Sequence, residues 1–294
     1  MDSFTKLVDL ISQKHPFQAK SLADFLQAKE TAFFAEADRK IKLMEGLVAP
    51  TEIANSFIKM SKDFLREEIR FRKTLEYRVK SATEANLRVY QNSEVMMYYM
   101  AGLYASYFLW PNHALIYDFF KSNISRRADT ILEIAPGHGL FTLFMASQFP
   151  DAKYHAVDIS PTSLQLTELV YKQSTDSFSE TKFLCSDFLE FSTDEKFDFI
   201  VMGEILEHVD NPLSFLTKVA SLLSVSGRVF ISTCTDSPSI DHVYHFKTVD
   251  EIRCLIESAE LNIDYEKLIP YKSLSLEESE IGRHTINYCA IAKL

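Results

Sequence analysis

Hydrophobic positions recur at helical spacing through roughly the first 120 residues, then give way to short apolar runs separated by helical segments. Between 51 and 80, Ile53, Phe57, Met60, Phe64, Phe71, Leu75 and Val79 fall on one face of a helix. Ala49-Pro50-Thr51 marks its start, with Thr51 as the cap. An earlier helix is expected over Ser21 to Leu47, and Ser81-Ala82-Thr83-Glu84 has the form of a capping box. From Val95 to Tyr117 there is no Asp, Glu, Lys or Arg. That run approaches the length of a membrane span. Pro111-Asn112-His113 cuts it, however, and Tyr98, Tyr99, Tyr104 and Tyr107 carry hydroxyls that lipid would leave unsatisfied. The pattern predicts a buried helix, a break and a second helix.

From about Arg127 strands and helices alternate. Strands are expected at 130–134, 154–158, 181–185, 197–202 and 228–234, with helices from Phe141 to Phe149, Ser163 to Tyr171 and Pro212 to Leu223. Alternation of this kind implies parallel strands with helices on both faces. A helix from Thr248 to Ala259 and two last strands near 263–269 and 286–292 follow, the strands suited to an antiparallel pair. The helical part, with no glycine-rich linker after it, is expected to pack against the sheet.

The strand ends carry the chemistry. Ile131-Leu132-Glu133-Ile134 runs into Ala135-Pro136-Gly137-His138-Gly139, where two glycines let backbone approach a ligand closely. Glu133 suits a ligand with an ammonium group better than one with a pyrophosphate. Asp158 closes the second strand, where a carboxylate can accept both hydroxyls of a ribose. Ser186-Asp187-Phe188 follows the third, an acid for an adenine amine beside an aromatic face. Gly203-Glu204-Ile205-Leu206-Glu207-His208-Val209 follows the fourth. In open α/β sheets ligands sit outside these carboxyl ends. A nicotinamide-binding domain would need a third glycine where Thr142 stands.

In this order the motifs resemble those of class I S-adenosylmethionine-dependent methyltransferases. Glu133 to Gly139 is similar to the family's acid-x-Gly-x-Gly-x-Gly loop, with Ala135 in place of the first glycine. Asp158 and Asp187 match its ribose and adenine acids. Glu204-x-x-Glu207-His208-Val209 resembles the segment of ubiquinone-type small-molecule methyltransferases. The resemblance covers about 115–294 and implies an α/β fold, a seven-stranded Rossmann-like methyltransferase sandwich with an N-terminal all-helical cap. Residues 1–120 form the cap and 121–294 the S-adenosylmethionine-binding part. The cofactor is S-adenosylmethionine and the product S-adenosylhomocysteine. Its expected contacts are Glu133, Ala135, Pro136, Gly137, Gly139, Asp158, Ile159, Ser186, Asp187, Phe188, Gly203 and Glu204.

The formal charge of −10 and pI near 5.3 argue against a nucleic-acid partner, which needs a basic footprint. The local basic run Arg66, Arg70, Arg72, Lys73, Arg78 and Lys80 is interleaved with Glu67, Glu68 and Glu76 and reads as a solvated helix face with internal pairs. Cys185, Cys234, Cys254 and Cys289 form no Cys-x-x-Cys pair and read as reduced core residues. The first residues lack the basic and apolar regions of a signal peptide, so a cytoplasmic protein without a membrane partner is expected.

Methyl transfer needs a base only when the nucleophile arrives protonated. His208 is the first candidate and His245 the second, with His242 expected beside the acceptor. Glu204, Glu207 and His208 lie at i, i+3 and i+4 and with His245 could hold a divalent cation, although the favoured reading has no metal. Tyr99, Tyr104 and Tyr107 are expected to line the acceptor pocket, among adaptable neighbours such as Met96, Met100 and Trp110. These helices also offer a homodimer surface. The expected activity is methylation of an aromatic or apolar small molecule of specialised metabolism. The oxygen of a phenol or carboxylic acid comes first, nitrogen or carbon next. The alternative is a non-catalytic nucleoside-binding regulator or partner subunit on the same fold.

Overall fold

The computed structural model describes residues 2–124, 127–272 and 274–294. Seven helices precede the sheet: α1 (Ser3–Lys14), α2 (Pro16–Gln27), α3 (Thr31–Glu45), α4 (Pro50–Thr74), α5 (Ala82–Ala85), α6 (Ser93–Leu109) and α7 (Pro111–Asn123). One π-turn, Asn86–Tyr90, continues α5. The helix expected over 21–47 is thus two, broken where Lys29 and Glu30 turn the chain. The next helix starts with Ala49 at the cap position and Pro50 in its first turn, so Thr51 lies inside it. It stops at Thr74 because Leu75 takes a left-handed conformation, φ 53°. The Ser81 box is half formed: Ser81 Oγ accepts from Glu84 N, but the Glu84 carboxylate takes the amide of Lys80. The Val95–Tyr117 region does form a helix, a break at Trp110 and a second helix. No described helix is long and apolar enough to cross a membrane.

The sheet comprises β1 (Thr130–Ile134), β2 (Lys153–Asp158), β3 (Glu180–Cys185), β4 (Phe197–Gly203), β5 (Leu223–Thr235), β6 (Asn262–Ile269) and β7 (Ile286–Lys293). Their order is β3-β2-β1-β4-β5-β7-β6. The first five are parallel and β7 runs antiparallel to both β5 and β6. Helices α8 (Leu140–Gln148), α9 (Pro161–Gln173), α10 (Pro212–Leu222) and α11 (Val249–Ser258) connect the strands, and α12 (Leu276–Ile281) lies between β6 and β7. The order reverses between β1 and β4, which opens a crevice at their carboxyl ends.

The helical part and the sheet share one hydrophobic core. It runs from Phe4 and Leu7 through Tyr104 and Phe120 to Phe141, Phe230 and Ile291. Its centre is aromatic: Phe120 lies 4.7 Å from Phe141 and 4.9 Å from Phe230, ring centre to ring centre. Helix α6 is apolar on every side, which suits a helix packed between α4 and the sheet part. The basic run on and after α4 is paired internally, Arg66 with Asp63, Arg72 with Glu68, Arg78 with Glu67 and Lys80 with Glu76. All four cysteines are free. Cys234 and Cys289 are buried, but Cys185 and Cys254 are exposed, so only two are core residues.

Candidate functional site

A cavity of about 770 Å³ opens where the carboxyl ends of β1, β2, β3 and β4 face α6 and α7. Three neighbouring strands, β1, β4 and β5, end in non-glycine residues in the left-handed region: Ala135 at φ 52°, Glu204 at 53° and Asp236 at 43°. Such residues cost on the order of 1 kcal/mol each and cluster where a backbone must be aimed. Ala135 is pinned by its amide, which donates to Val157 O at 2.8 Å. Gly137, φ 59°, needs glycine for its conformation and not for space, since a Cβ there would meet Met100 Sδ at 3.6 Å and Ala135 O at 3.7 Å, both ordinary contacts.

Asp158 is buried beside this loop. Its Oδ1 accepts from the Ser160 amide and its Oδ2 from Ser163 Oγ, both at 2.8 Å. Burial pushes its carboxyl up to about 6, against those hydrogen bonds. A carboxylate offers about four acceptor positions, so capacity remains for a ligand. Pro136, Ile159, Ser186 and Gly203 join Ala135, Gly137 and Asp158 in the lining. On β3's end Asp187 is exposed and Phe188 buried, and both line the cavity.

Two residues expected to touch the cofactor stand behind the lining. Gly139 caps α8. Glu133 is enclosed, its Oε2 accepting from Thr142 Oγ1 at 2.7 Å and from Tyr154 Oη at 2.6 Å. Its other oxygen has no partner among the described residues, and burial pushes the carboxyl up to about 7. Thr142, where a dinucleotide fingerprint would place glycine, serves this buried acid.

The turn after β4 places His208 at the cavity wall, its side chain 13% exposed. Its Nδ1 faces Tyr90 Oη at 2.9 Å, Asp241 O at 3.4 Å and Asp241 Oδ2 at 3.5 Å. Asp241, 1% exposed, gathers the network: Tyr99 Oη donates to its Oδ1 at 3.0 Å, Ser239 Oγ to the same atom at 2.8 Å, and Tyr90 Oη to Oδ2 at 3.4 Å. His242 packs edge-on against His208 at 4.7 Å and meets Ser237 O through Nδ1 at 2.5 Å. Burial pushes His242 down to about 3, so it is neutral. Neither Tyr90 nor Asp241 stands in a recognisable motif. Residues 118 to 151 positions apart meet here, which local spacing cannot reveal.

His245 does not line the cavity. Its Nε2 is held by Asp236 Oδ1 at 2.6 Å, beside Arg283, and its ring packs 4.6 Å from Tyr77 and 5.3 Å from Phe71. The tetrad Glu204, Glu207, His208 and His245 is therefore not assembled. Among the described residues the groups with ligand-like spacing are Glu207, Cys234 and His242, and His208, Asp241 and His242. Glu207 is already engaged by Thr233 Oγ1 at 2.7 Å. Burial and the neighbouring Glu204 push Glu207 well up, and burial pushes Glu204 up to about 7. These two acids thus resist carrying charge together.

Of the tyrosines expected at the acceptor, Tyr99 and Tyr107 line the cavity. Tyr104 does not: it is fully buried and donates to Lys40 O at 2.8 Å, tying α6 to α3. Phe64, Met100, Trp110 and Phe141 complete an apolar wall. Among the described residues the ionisable lining is mostly acidic: seven carboxyl groups (Glu68, Asp158, Asp187, Glu204, Glu207, Asp210 and Asp241), of which Glu204 and Glu207 resist ionising together, against one lysine, Lys272.

Comparison with known proteins agrees with this architecture. Residues 110–268 match a family described as a methyltransferase domain. The ubiquinone biosynthesis O-methyltransferase of Xanthomonas campestris pv. campestris is 23% identical over 206 residues, covering 62% of this chain and 84% of that protein. Malonyl-acyl-carrier-protein O-methyltransferase 1 of Ilyobacter polytropus is 25% identical over 109 residues, 37% of this chain. The match spans only 39% of that relative's length. The solved structure of the mitomycin 7-O-methyltransferase MmcR superposes with a TM-score of 0.54 at 12% identity, over 83% of this chain and 70% of that one, which shows a shared fold. With more than half its length matched, the chain belongs to the methyltransferase domain family and is a class I enzyme that uses S-adenosylmethionine.

Proposed function

We propose that this enzyme methylates an oxygen of an uncharged, largely aromatic small molecule, with His208 as the general base. The observation that carries the reading is the set of atoms around His208 Nδ1. Three of them are oxygens, and two, the carbonyl and carboxylate of Asp241, can only accept. They favour a proton on Nδ1, while Tyr90 spends its own on Asp241 Oδ2. Nε2 then keeps its lone pair, and it has no partner among the described residues. A phenol held there loses its proton to Nε2, and the positive charge that develops on the ring is balanced by buried Asp241.

The residues fit the cofactor. Asp158 retains acceptor capacity for ribose hydroxyls, and Asp187 with Phe188 lies one strand further out for an adenine. The acid-lined cavity suits sulfonium and ammonium charges. When bound, S-adenosylmethionine supplies an electrophilic methyl group whose leaving sulfur needs no acid. The chain's remaining task is alignment in a dry pocket.

The apolar wall supports a flat acceptor, and the excess of carboxylates opposes a free carboxylate substrate. Oxygen methylation also accords with the relatives, whose names specify O-methyltransferases. A small metabolite, here one of specialised metabolism, fits a cavity of about 770 Å³ better than a macromolecule. The test is S-adenosylhomocysteine formation across a panel of phenols, for wild type and His208→Ala. A fall of about a hundredfold in turnover with intact cofactor affinity is expected. Turnover within about threefold of wild type, or parallel loss of both properties, would remove His208 as the base.

A further inference from the structure

Besides His208, His242 and His138, the cavity lining holds a further imidazole, His113, that methyl transfer leaves without a task. His113 stands in the first turn of α7, 8% exposed, and lines the cavity. Its tautomer follows from the single proton of one hydroxyl. Ser106 Oγ donates that proton to Leu103 O at 2.6 Å. It therefore meets His113 Nδ1, 2.7 Å away, as an acceptor. Nδ1 carries the ring proton and Nε2 the lone pair. Burial pushes the ring down to about 4, so it stays neutral near pH 7. Nε2 has no partner among the described residues, and it is not sealed from the cavity. Trp110 and Tyr107 hold the ring, each 5.1 Å away centre to centre. Beside it Asn112 Nδ2 donates to Asn287 Oδ1 at 3.1 Å, and both residues line the cavity. This is a polar spot built into an aromatic wall, positioned by two helices of the cap.

We infer that His113 is a specificity determinant: its Nε2 accepts a hydrogen bond from a second, non-reacting hydroxyl of the acceptor. The inference rests on the small-molecule reading above and narrows it to dihydroxylated aromatics, one hydroxyl for His208 and one for His113. A ligand lacking the second hydroxyl strips water from Nε2 and returns nothing, and sites of this kind reject such analogues strongly.

Binding tests this without turnover. The protein saturated with S-adenosylhomocysteine is titrated calorimetrically with 1,5- and 2,6-dihydroxynaphthalene and with 1- and 2-naphthol. At least one diol is expected to bind about tenfold or more tighter than the matching naphthol. His113→Phe should erase that preference by weakening the diol, not the naphthol. Ser106→Ala, which frees the tautomer, should reduce it several-fold and serves if the phenylalanine variant does not fold. Equal binding of diols and naphthols by wild type, no binding of either, or a preference that survives in the folded variants overturns the inference. Methyl transfer is scored separately. A preserved preference without S-adenosylhomocysteine formation from the diols strikes the phenol reading and leaves recognition by His113 standing.

Discussion

Asp158 makes cofactor affinity depend on pH in a direction the structure dictates. Its carboxyl sits at about 6 against an ordinary 3.8, because it is buried. The folded value lies above the unfolded one, so the carboxyl stabilises the fold when protonated, and that stability is lost as pH rises from about 4 to 6. The loss amounts to about 3 kcal/mol, two pKa units at 1.36 kcal/mol each. Ribose hydroxyls donate more strongly to the ionised form, both of whose oxygens accept, and return part of this, so a bound nucleoside lowers the value and releases a proton. At pH 5 about one molecule in ten is ionised, and binding should be about tenfold weaker than at pH 7.5, or ~1.4 kcal/mol. The assay is calorimetric titration with S-adenosylhomocysteine from pH 5 to 7.5, with 5′-methylthioadenosine as a probe lacking the amino-acid half. Both ligands should show the slope. Asp158→Asn should flatten it and weaken binding at pH 7.5. The difference between the two curves isolates Asp158 from Glu204, which sits near 7. Equal slopes in wild type and variant would refute a carboxylate–ribose contact.

Other expectations follow from single contacts. Asp241→Asn should lower kcat about 30-fold or more, the worth of ~2 kcal/mol for a hydrogen bond to a charged group, with cofactor affinity little changed; steady-state kinetics checks it, and an unaltered kcat would remove Asp241 as a positioning residue. Gly203→Ala places a Cβ 2.6 Å from Phe141, whose ring is wedged against Phe120 and Phe230. A loss of about 1–3 kcal/mol is expected in denaturant unfolding, and none would mean that the ring moves freely. Tyr154→Phe deprives Glu133 of a donor. Glu133 already sits at about 7 against 4.5, so its burden on stability grows as pH rises through that window. The variant should lose about 2 kcal/mol at pH 8 and much less at pH 5; equal losses by thermal unfolding would argue against a charged partner.

The strands were legible in the sequence because each is a short apolar run ending in a polar residue. Asp158, Gly203 and Glu204 fell where the spacing put them. What stayed hidden was set by distant contacts. Nothing local in Asp241-His242-Val243-Tyr244-His245 says which histidine turns inward. His242 meets the cavity because His245 is drawn away by Asp236 and Arg283, which is 38 residues further on. Tyr104 looks like Tyr99 and Tyr107 in sequence, but its place on α6 turns its hydroxyl to α3. Glu133 was expected at the ligand because it ends a strand, and two buried hydroxyls claim it instead. Helix ends were misjudged where a single left-handed residue, Leu75, overrides a continuing periodicity. His113 meets Ser106, only seven residues away, because the chain breaks at Trp110 and folds the start of α7 back onto the end of α6, and neither that contact nor the fate of the hydroxyl proton is written in local spacing.

Helix α6 has a consequence for how the chain is made. Its apolar circumference is shielded partly by α4 and partly by elements that follow it in sequence, among them α7 and α9. During synthesis the helices up to α7 emerge first, while the strands that complete their core are still unmade. The nascent chain must therefore hold a tyrosine- and methionine-rich helix, whose one charged side chain is Glu94 in its first turn, in water or on a chaperone until the sheet arrives. A fragment ending at Asn123 should accordingly be sticky and loosely packed, although every residue of its helices is present.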